Sequence, residues 1–449
     1  MNPSLANALR VKSTPCVAFT GAGGKTTAIF QLARELPSPV IVTATTHLGT
    51  WQIGLADQHI ITETPALLEE LAHGLKGVIL VTGEIDGERT KPINEGLLNW
   101  LHQFCGYHSI PLLIEADGSR QKPLKAWAGH EPPIPSFVEQ VVQVVGLSGI
   151  GKAINEENVH RSEIFSRLSG LKMGDVVSPE VLIRVLSHED GGQKNIPANA
   201  RKGLLLNQAD TPELQSTAHG MSRPLLTSFN SVVVSSLKEK KIFSVHESIA
   251  GVILAAGESS RFGQPKQLLD WKGQPFVRAV AKTALEAGLS PVILVTGANF
   301  EQVEAAVNDL EVMIVRNNDW KSGQGSSIKK GILSLTPTPL PAGEGKAGAC
   351  IFLLTDQPQI TTSILRALVE KHAQGLYPIV VPMVIDQRAN PVLFDRVTFP
   401  DLLTLEGDVG GRAIFHKHRV EYLPWHDDCL LLDVDTPEMY QRLITDNTL

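Results

Sequence analysis

The chain has 449 residues, which is too long for one ordinary core and typical of two or three domains. Hydrophobic residues make up 43% and charged residues 19%, as in ordinary globular proteins, and the formal net charge of −7 argues against a broadly basic nucleic-acid-binding surface. The four cysteines form no CxxC pair, and no run is apolar enough for a signal peptide or a membrane span. We therefore expect a cytoplasmic protein with no nucleic-acid or membrane partner, no disulfide framework and no zinc site.

Strand-like and helix-like segments alternate along the first half of the chain. This alternation predicts a three-layer α/β fold, with helices packed on a mainly parallel sheet. Buried strands are expected at Cys16–Thr20, Val40–Thr43, Gly77–Val81, Leu112–Glu115, Val141–Val145 and Gly203–Leu206. Helices between them are expected at Thr27–Leu36, Pro65–His73 and Ile93–Phe104.

The first strand runs into a glycine loop, CVAFTGAGGKTT, which resembles a phosphate-binding P-loop. In such a loop, backbone N–H groups surround phosphates, the lysine reaches them and the following threonine holds Mg²⁺. The residues assigned to this site are Gly21, Gly23, Gly24, Lys25 and Thr26. The usual spacing asks for glycine where this chain has Phe19, and a tight turn with a lysine facing the helix is the structural alternative. We favour phosphate binding, because packing alone does not explain the GGKTT run.

Two carboxylates lie at the end of the strand in the segment LLIEADG. Glu115 or Asp117 could reach a Mg²⁺ ion there, as a Walker-B carboxylate does beside a P-loop, and we assign Asp117 to the nucleotide site. A capped turn is the alternative. Further on, LNQAD at Leu206–Asp210 loosely resembles the guanine-reading N-K-x-D motif, but Gln208 replaces the lysine, so guanine specificity stays open.

A charged segment, Leu237–Lys241, is the best candidate for a linker between two domains, at 1–240 and 241–449, although a solvated helix end or edge is the alternative. The strand–loop–helix pattern restarts after it. Further strands are expected at Pro291–Thr296, Val312–Val315, Cys350–Thr355 and Pro378–Val384. The segment Thr336–Gly348, rich in proline and glycine, is expected to be an exposed loop.

The stretch Gly251–Lys266, GVILAAGESSRFGQPK, is the most informative part of the chain. An apolar strand leads into a loop of small residues, and Arg261 and Lys266 add two cations. Such a strand and loop can place N–H groups and positive charge around a triphosphate. The pattern predicts that the C-terminal half activates or transfers nucleotides.

Further segments could complete such a site. WKSGQGSSI, at Trp320–Ile328, offers close backbone approach and hydroxyls, although a serine-capped helix start is the alternative. FLLTDQP places Asp356 at the carboxyl end of a strand, where open α/β sheets bind ligands and where a carboxylate suits Mg²⁺; a capped turn explains it equally well. DVDTP, at Asp433–Pro437, adds two carboxylates before a predicted helix, where an N-cap is the bland explanation.

The ordered series LAAGESSRFGQPKQLL, SGQGSSI, TDQP, NPVLF, GDVGGR and DVDTP resembles the molybdopterin cytidylyltransferases (MocA-like). These belong to a wider group with molybdopterin guanylyltransferases and sugar-phosphate nucleotidyltransferases. The resemblance covers nearly all of residues 250–449. It implies a Rossmann-like nucleotidyltransferase domain with a mixed, mainly parallel sheet. It also implies transfer of CMP from CTP to molybdopterin, with Mg²⁺ as cofactor and pyrophosphate as the leaving group.

The resemblance also implies roles for individual residues. Arg261 and Lys266 would neutralise the phosphates and form the catalytic set with Asp356. Asp356 would hold Mg²⁺ together with Asp435, or with Asp433 instead. The nucleotide would be bound by Leu254, Ala255, Ala256, Gly257, Gly325, Ser326 and Ser327. No nucleophilic side chain is expected, because this chemistry needs in-line positioning and charge neutralisation.

The choice of base depends on one position of the loop. The guanylyl-transferring relatives typically carry LAGG where this chain has Leu254-Ala255-Ala256-Gly257. By resemblance, Ala256 favours CTP, and a Cβ that crowds the space needed by a purine is the physical hypothesis.

The N-terminal half resembles the YqeC family, which is linked to selenium-dependent molybdenum hydroxylases. The resemblance spans roughly residues 10–235 and rests on GAGGKTT, EADGS, TATTH at Thr43–His47, KP at Lys122-Pro123, GHEP at Gly129–Pro132 and ENVHR at Glu157–Arg161. It implies an accessory NTP-binding module and a molybdenum hydroxylase as the acceptor of the cofactor.

Three alternatives remain open. The C-terminal half could transfer GMP, or transfer a nucleotide to a sugar phosphate. The protein could be a cofactor-binding chaperone for a molybdoenzyme, with a vestigial transferase. The N-terminal P-loop could be a scaffold that binds no nucleotide.

Overall fold

The computed structural model describes residues 3–71, 74–258, 262, 264–335 and 347–445. The chain divides into two compact units between His246 and Glu247. Most of the expected proline- and glycine-rich loop, residues 336–346, lies outside the described residues.

The first unit is built on a nine-stranded sheet in its described part, with the order β14-β13-β12-β10-β1-β8-β2-β5-β4. The pairs from β13 to β4 are parallel. The strands of this unit are β1 (Cys16–Gly21), β2 (Val40–Ala44), β3 (Leu48–Gly49), β4 (Gln58–Ile61), β5 (Val78–Thr82), β6 (Ile85–Asp86), β7 (Arg89–Thr90), β8 (Leu112–Glu115), β9 (Leu124–Lys125), β10 (Gln140–Gly146), β11 (Val159–His160), β12 (Arg201–Asn207), β13 (Ser231–Ser236) and β14 (Lys241–Glu247).

The helices of the first unit begin at residues that suit helix N-termini. Asn94, Ser178 and Thr211 each accept a backbone N–H from the first turn of the helix that follows them. The helices are α1 (Leu5–Ala8), α2 (Lys25–Glu35), α3 (Ala66–Leu71), α4 (Glu95–His108), α5 (Ser162–Ser169), α6 (Pro179–Ser187) and α7 (Pro212–Leu225). Apolar clusters in the described part of the core include one around α4 and one around α5, α6 and α7.

The second unit has a mixed sheet with the order β19-β18-β15-β20-β23-β21-β22, and β24 pairs with β21. The pairs of β15 with β18 and β20, of β18 with β19, and of β21 with β24 are parallel, whereas β23 is antiparallel to both neighbours. Its strands are β15 (Ile249–Ala255), β16 (Asp270–Trp271), β17 (Gln274–Pro275), β18 (Val292–Thr296), β19 (Met313–Arg316), β20 (Ala349–Leu354), β21 (Ile379–Val384), β22 (Gln387–Arg388), β23 (Val392–Asp395) and β24 (Val420–Pro424).

Helices cover both faces of the second sheet. Ile253 and Ala255 of β15 enter one apolar cluster, whereas Ala250 and Val252 enter another, because successive strand residues point to opposite faces. The helices are α8 (Phe276–Ala287), α9 (Phe300–Ala305), α10 (Gln324–Leu335), α11 (Thr362–Gly375), α12 (Phe399–Leu402) and α13 (Pro437–Thr445). Both faces of the central strands are therefore buried, which explains their continuous apolar sequences.

The expected α/β class and the mixed sheet of the second unit are confirmed. The segment expected as a linker, Leu237–Lys241, instead joins the neighbouring strands β13 and β14 through a short 3₁₀ helix at Leu237–Glu239. No helix in the described ranges combines the length and apolarity needed to cross a membrane.

Candidate functional site

A cavity of about 640 Å³ opens at the carboxyl ends of β15 and β20 in the second unit. Open α/β sheets bind ligands at this kind of edge. The N-terminus of α10 and the segment before α13 contribute to its wall. Its lining residues are Leu254, Ala256, Gly257, Glu258, Phe262, Lys266, Gln267, Trp320, Lys321, Ser322, Gly323, Gln324, Ser327, Leu354, Thr355, Asp356, Asp408 and Asp435.

An ion-paired triad lies in this cavity. The Lys266 ammonium is 3.2 Å from Oδ2 of Asp356 and 2.8 Å from Oδ1 of Asp435. These three residues come from sequence positions that are 90 and 169 residues apart. The structure therefore brings together the three residues that carry the predicted catalytic and metal-binding roles.

Burial and neighbouring charges shift the pKa values of the acidic residues at the cavity and of Lys266. Burial raises the pKa of Asp356, although the nearby Lys266 ammonium opposes this. Burial and the negative charge of Asp356 also raise the pKa of Asp433. Burial lowers the pKa of Lys266, but its hydrogen bond to Asp435 and the charge of Asp356 outweigh burial and raise the pKa overall. A cation between the carboxylates therefore stabilises their ionised forms.

Glutamine side chains tie the two acidic segments to each other. Gln357 donates its side-chain amide to Asp433 Oδ1 at 2.6 Å, and Val434 donates its N–H to the Asp356 carbonyl at 3.1 Å. Gln359 donates to the carbonyls of Cys429 and Leu432. The carboxylates are thus held close together by contacts that do not involve a ligand.

Hydrogen bonds from Gln267 and Ala298 hold the loop after β15 in place. Gln267, which is buried, donates its side-chain amide to the carbonyls of Gly257 and Ala255 at 2.7 and 3.3 Å. Ala298 donates its N–H to the carbonyl of Ala256 at 3.0 Å. A Cβ built on Gly297 would lie 2.8 Å from the Ala256 methyl, so the two residues pack closely.

The serine segment packs against the second glycine loop, Gly407–Arg412. Gly325 donates its N–H to the Gly407 carbonyl at 3.1 Å, and Gln324 donates its N–H to the Asp408 carboxylate at 3.4 Å. The side-chain amide of Asn317 donates to the hydroxyls of Ser326 and Ser327 at 2.8 and 3.0 Å. These contacts hold the start of α10 at the cavity.

The predicted residues of the second unit divide into three groups. Those that line the cavity are Leu254, Ala256, Gly257, Ser327, Lys266, Asp356 and Asp435. Ala255, Gly325 and Ser326 adjoin it and support its walls. Arg261 lies outside the described residues.

The residues present fit a divalent metal ion held jointly by protein and nucleotide. Asp356 Oδ1 is buried and has no hydrogen-bond partner among the described residues, and Asp435 is half-exposed to the cavity. In the ranges that the structure describes, no group of three or more His, Cys, Asp or Glu residues could hold a metal. Mg²⁺ commonly takes only one or two carboxylates and completes its shell with phosphate oxygens and water, so the acidic pair suffices.

The glycine loop of the first unit surrounds a buried ion pair. The Lys25 ammonium lies 3.1 Å from Asp117 Oδ1 and donates to the Gly21 carbonyl at 2.7 Å. Lys125 lies 2.9 Å from Asp117 Oδ2, and the indole N–H of Trp127 donates to the same oxygen at 2.8 Å. Burial alone would raise the pKa of Asp117, but the two lysines outweigh it and lower the pKa to about 2. Asp117 is therefore a fully buried carboxylate whose Oδ2 accepts the hydrogen bonds, while its Oδ1 has the Lys25 ammonium as its ion-pair partner.

Three of the loop N–H groups are also used within the protein. Gly21 donates to Asp117 Oδ2 at 3.0 Å, Ala22 to the Val144 carbonyl at 2.9 Å and Gly23 to the Lys122 carbonyl at 3.1 Å. The N–H groups of Gly21 and Gly23 are therefore used within the protein in this conformation, and the phosphate cradle predicted for these two residues stays a prediction. Gly24 precedes the first turn of α2, whose N–H groups have no acceptor within the helix, and the Thr26 hydroxyl donates to Glu115 at 3.3 Å.

Some residues at these two sites were not predicted from the sequence. Lys125 and Trp127 complete the buried network, and Gln267, Asn317 and Gln357 brace the cavity. Gln267 and Gln357 stand directly beside Lys266 and Asp356 in the chain, so adjacency to a motif was the available signal. Lys125 and Asn317 lie only 8 to 10 residues along the chain from their partners Asp117, Ser326 and Ser327, but they stand outside the motifs and nothing in their local sequence marks them.

Comparison with known families assigns a different family to each of the two units of the chain. Residues 17–163 match the model of the YqeC protein family, and residues 251–423 match that of the MobA-like NTP transferase domain. The resemblance of each half to its family is thereby confirmed.

Three relatives cover one half of the chain each. Nicotine blue oxidoreductase of Paenarthrobacter nicotinovorans is 31% identical over 205 residues, which are 44% of this chain and 96% of the relative. YqeC of Escherichia coli (strain K12) is 28% identical over 221 residues, 48% of this chain and 84% of the relative. The molybdenum cofactor cytidylyltransferase of the same organism is 25% identical over 188 residues, 42% of this chain and 91% of the relative.

Proposed function

We propose that this chain, which belongs through its C-terminal half to the MobA-like NTP transferase family, transfers CMP from CTP to molybdopterin. It is a nucleotidyltransferase with a YqeC domain before it. The observation that supports this most directly is the Asp356–Lys266–Asp435 triad in the cavity at the sheet edge. Carboxylates for a metal and a cation for phosphates are the groups that nucleotidyl transfer requires.

The positions of these groups support the following reaction. A phosphate oxygen of molybdopterin attacks the α-phosphorus of CTP, the bond to the β-phosphate oxygen breaks, and pyrophosphate leaves. Asp356 and Asp435 would hold a Mg²⁺ ion, which neutralises charge on the phosphates when bound. Lys266, and Arg261 from the adjoining loop, would balance the charge that develops on the leaving group. The closely braced loop Leu254–Gly257 would orient the triphosphate for in-line attack.

Ala256 supports the choice of CTP. Its methyl group packs beside Gly297 at the cavity wall, where added bulk reduces the room for a base. We expect the Ala256→Gly variant to use GTP better relative to CTP than the unmodified protein does. Turnover of both nucleotides by both proteins measures this, and a strong preference of the unmodified protein for GTP would contradict the assignment.

The main experiment is pyrophosphate release by the full chain with molybdopterin and CTP, GTP or UTP in turn. The proposal expects release with CTP and a cytidylylated product in the mass spectrum. Products from GTP, or from UTP with a sugar phosphate, would support the other transferases. Tight molybdopterin binding without pyrophosphate release would support a chaperone. Because one relative is named an oxidoreductase, the reaction product has to be identified in addition to the measurement of pyrophosphate release.

For the first unit we propose nucleotide binding at the Lys25 loop, in a cytoplasmic accessory role for a selenium-dependent molybdenum hydroxylase. The N–H groups at the start of α2, which have no acceptor within the helix, and the nearby lysines support it. Binding there requires Lys25 to exchange the Asp117 carboxylate for a phosphate.

Equilibrium dialysis of labelled NTP against the full chain tests this role. Two nucleotides should bind per chain, and only one should bind to the Lys25→Ala variant. Lys152→Ala, which removes an exposed lysine, is the control. One bound nucleotide in both the unmodified protein and Lys25→Ala would indicate that the first unit is a scaffold.

A further inference from the structure

Lys266 already occupies the carboxylates that the proposed metal ion needs. Its ammonium lies between Asp356 Oδ2 and Asp435 Oδ1, at 3.2 and 2.8 Å. The side chain is only 19% exposed, so these contacts are made within the cavity wall. A lysine that served the phosphates alone would not need to contact both acids.

The acidic segments require a cation whether or not a nucleotide is bound. The bond from the Val434 N–H to the Asp356 carbonyl and the bond from Gln357 to Asp433 fix the carboxylates close together. Three acids gathered in this way repel one another unless a positive charge lies among them. Lys266 supplies that charge in the structure described here.

A metal ion and the ammonium cannot hold the same oxygens together. Two cations at hydrogen-bond distance repel each other strongly in a partly buried site. Lysine carries its charge on a flexible four-carbon stem, so it can leave the carboxylates if another anion receives it. The phosphates of an incoming nucleotide are such an anion.

We propose that Lys266 is a placeholder cation: it competes with the divalent metal for Asp356 and Asp435 and moves to the phosphates when the nucleotide arrives. The inference rests on the proposed function and concerns the same site. It follows that the nucleotide-free enzyme binds metal weakly, and that nucleotide and metal favour each other's binding.

The test is Mn²⁺ binding to the full chain without nucleotide, measured by the electron paramagnetic resonance of free Mn²⁺. The Lys266→Met variant should bind Mn²⁺ at least about tenfold more tightly, because the competing charge is gone. Lys266→Arg should bind it no more tightly than the unmodified protein, since the guanidinium also pairs with carboxylates. Lys321→Met removes a lysine from the same cavity that contacts Trp320, and should leave the affinity unchanged within about threefold.

Unchanged or weaker Mn²⁺ binding by Lys266→Met would overturn the proposal. Mn²⁺ binding by Lys266→Arg or Lys321→Met that is as tight as binding by Lys266→Met would also overturn it. If Lys266→Met does not fold, tighter binding by Lys266→Gln supports the proposal and unchanged binding overturns it. The proposed function is tested separately. Tighter Mn²⁺ binding by Lys266→Met, with no pyrophosphate release by the unmodified protein, would support the placeholder role of Lys266 and contradict the proposed transferase function. Pyrophosphate release without any change in Mn²⁺ affinity would do the reverse.

Discussion

Asp117 and Asp356 carry the same local signal, since each lies just beyond the end of a buried parallel strand, but their surroundings differ. Asp117 receives hydrogen bonds from Gly21, Lys125 and Trp127 in addition to its ion pair with Lys25. Asp356 pairs with one lysine and lines the cavity, and its Oδ1 accepts no hydrogen bond from the described residues. Asp117 Oδ1 also accepts no hydrogen bond, but it is enclosed within the protein 3.1 Å from the Lys25 ammonium. At the scale of the residue, Asp117 is therefore suited to stability, and Asp356 is suited to receive a ligand.

Removal of the Asp356 charge should abolish most of the transferase activity. Asp356→Asn should lower kcat at least about 100-fold, as expected for a group that stabilises charge in the transition state. Pyrophosphate release with CTP and molybdopterin measures it. Asp309→Asn, which removes an acid paired with Arg278 outside the cavity lining, should keep normal activity. If Asp356→Asn were about as active as the unmodified protein, the assignment of Asp356 to the active site would be contradicted.

The buried network of the first unit should respond unequally to loss of its members. Asp117→Asn leaves Lys25 and Lys125 without their shared carboxylate and should cost about 3–5 kcal/mol of unfolding free energy. Lys25→Met leaves Asp117 paired with Lys125, so it should cost only about 1–2 kcal/mol. Urea unfolding of both variants tests the order, and a larger loss for Lys25→Met would contradict the central role of Asp117.

The same network predicts a sensitivity to acid. The pKa of Asp117 is lowered from 3.8 to about 2 in the folded protein, so its ionisation stabilises the fold above pH about 4. That stabilisation, about 2 kcal/mol, should be lost as the pH falls through about 2. The difference in unfolding free energy between the unmodified protein and Asp117→Asn should therefore narrow by about 2 kcal/mol as the pH falls from about 4 to about 2. A constant difference would show that folding does not lower the pKa of Asp117.

At the scale of elements, the start of α10 depends on two glycine loops that fit against each other. Gly323 has a φ of +104°, and a Cβ there would overlap the backbone of Gly407. Gly407 has a φ of +70° but open space around its Cβ position. The contact holds Gln324, Ser327 and Asp408 at the cavity wall.

This difference predicts the outcome of a matched pair of substitutions. Gly323→Ala should cost about 1–3 kcal/mol from backbone strain, with further loss from the overlap, and should raise the KM for CTP. Gly407→Ala should cost only about 1–2 kcal/mol, from the left-handed backbone alone. Thermal unfolding and steady-state kinetics compare them. An equal effect of the two would show that close packing of the loops is not required.

At the scale of the whole molecule, each unit has apolar clusters and a sheet of its own. Units with separate cores generally unfold as separate cooperative transitions. Calorimetry of the full chain should therefore show two transitions. Asp117→Asn should lower the midpoint of one, and Gly323→Ala that of the other. A single transition lowered by both variants would contradict independent units.

The strand positions were predictable because a buried parallel strand needs a continuous apolar run, as at Leu112–Glu115 and Val292–Thr296. The antiparallel strand Val392–Asp395 and the edge strand Lys241–Glu247 were not predicted as strands. Val392–Asp395 pairs with Ala349–Leu354 and Ile379–Val384, a pairing that the local sequence does not specify, and Lys241–Glu247 has no continuous apolar run. The segment Leu237–Lys241, predicted as a linker from its local charge, connects the neighbouring strands β13 and β14.

The sequence alone determined the α/β class, both families and the motif residues that meet at the cavity, because strand-end loops and their polar residues are local features of the chain. Only the tertiary structure decided how these residues are paired. It turned Lys25 towards Asp117, committed the N–H groups of Gly21 and Gly23 within the protein, and placed Lys266 between Asp356 and Asp435. Charge pairing depends on distance in space, and segments up to 169 residues apart reach 2.8 Å only when the sheet has formed.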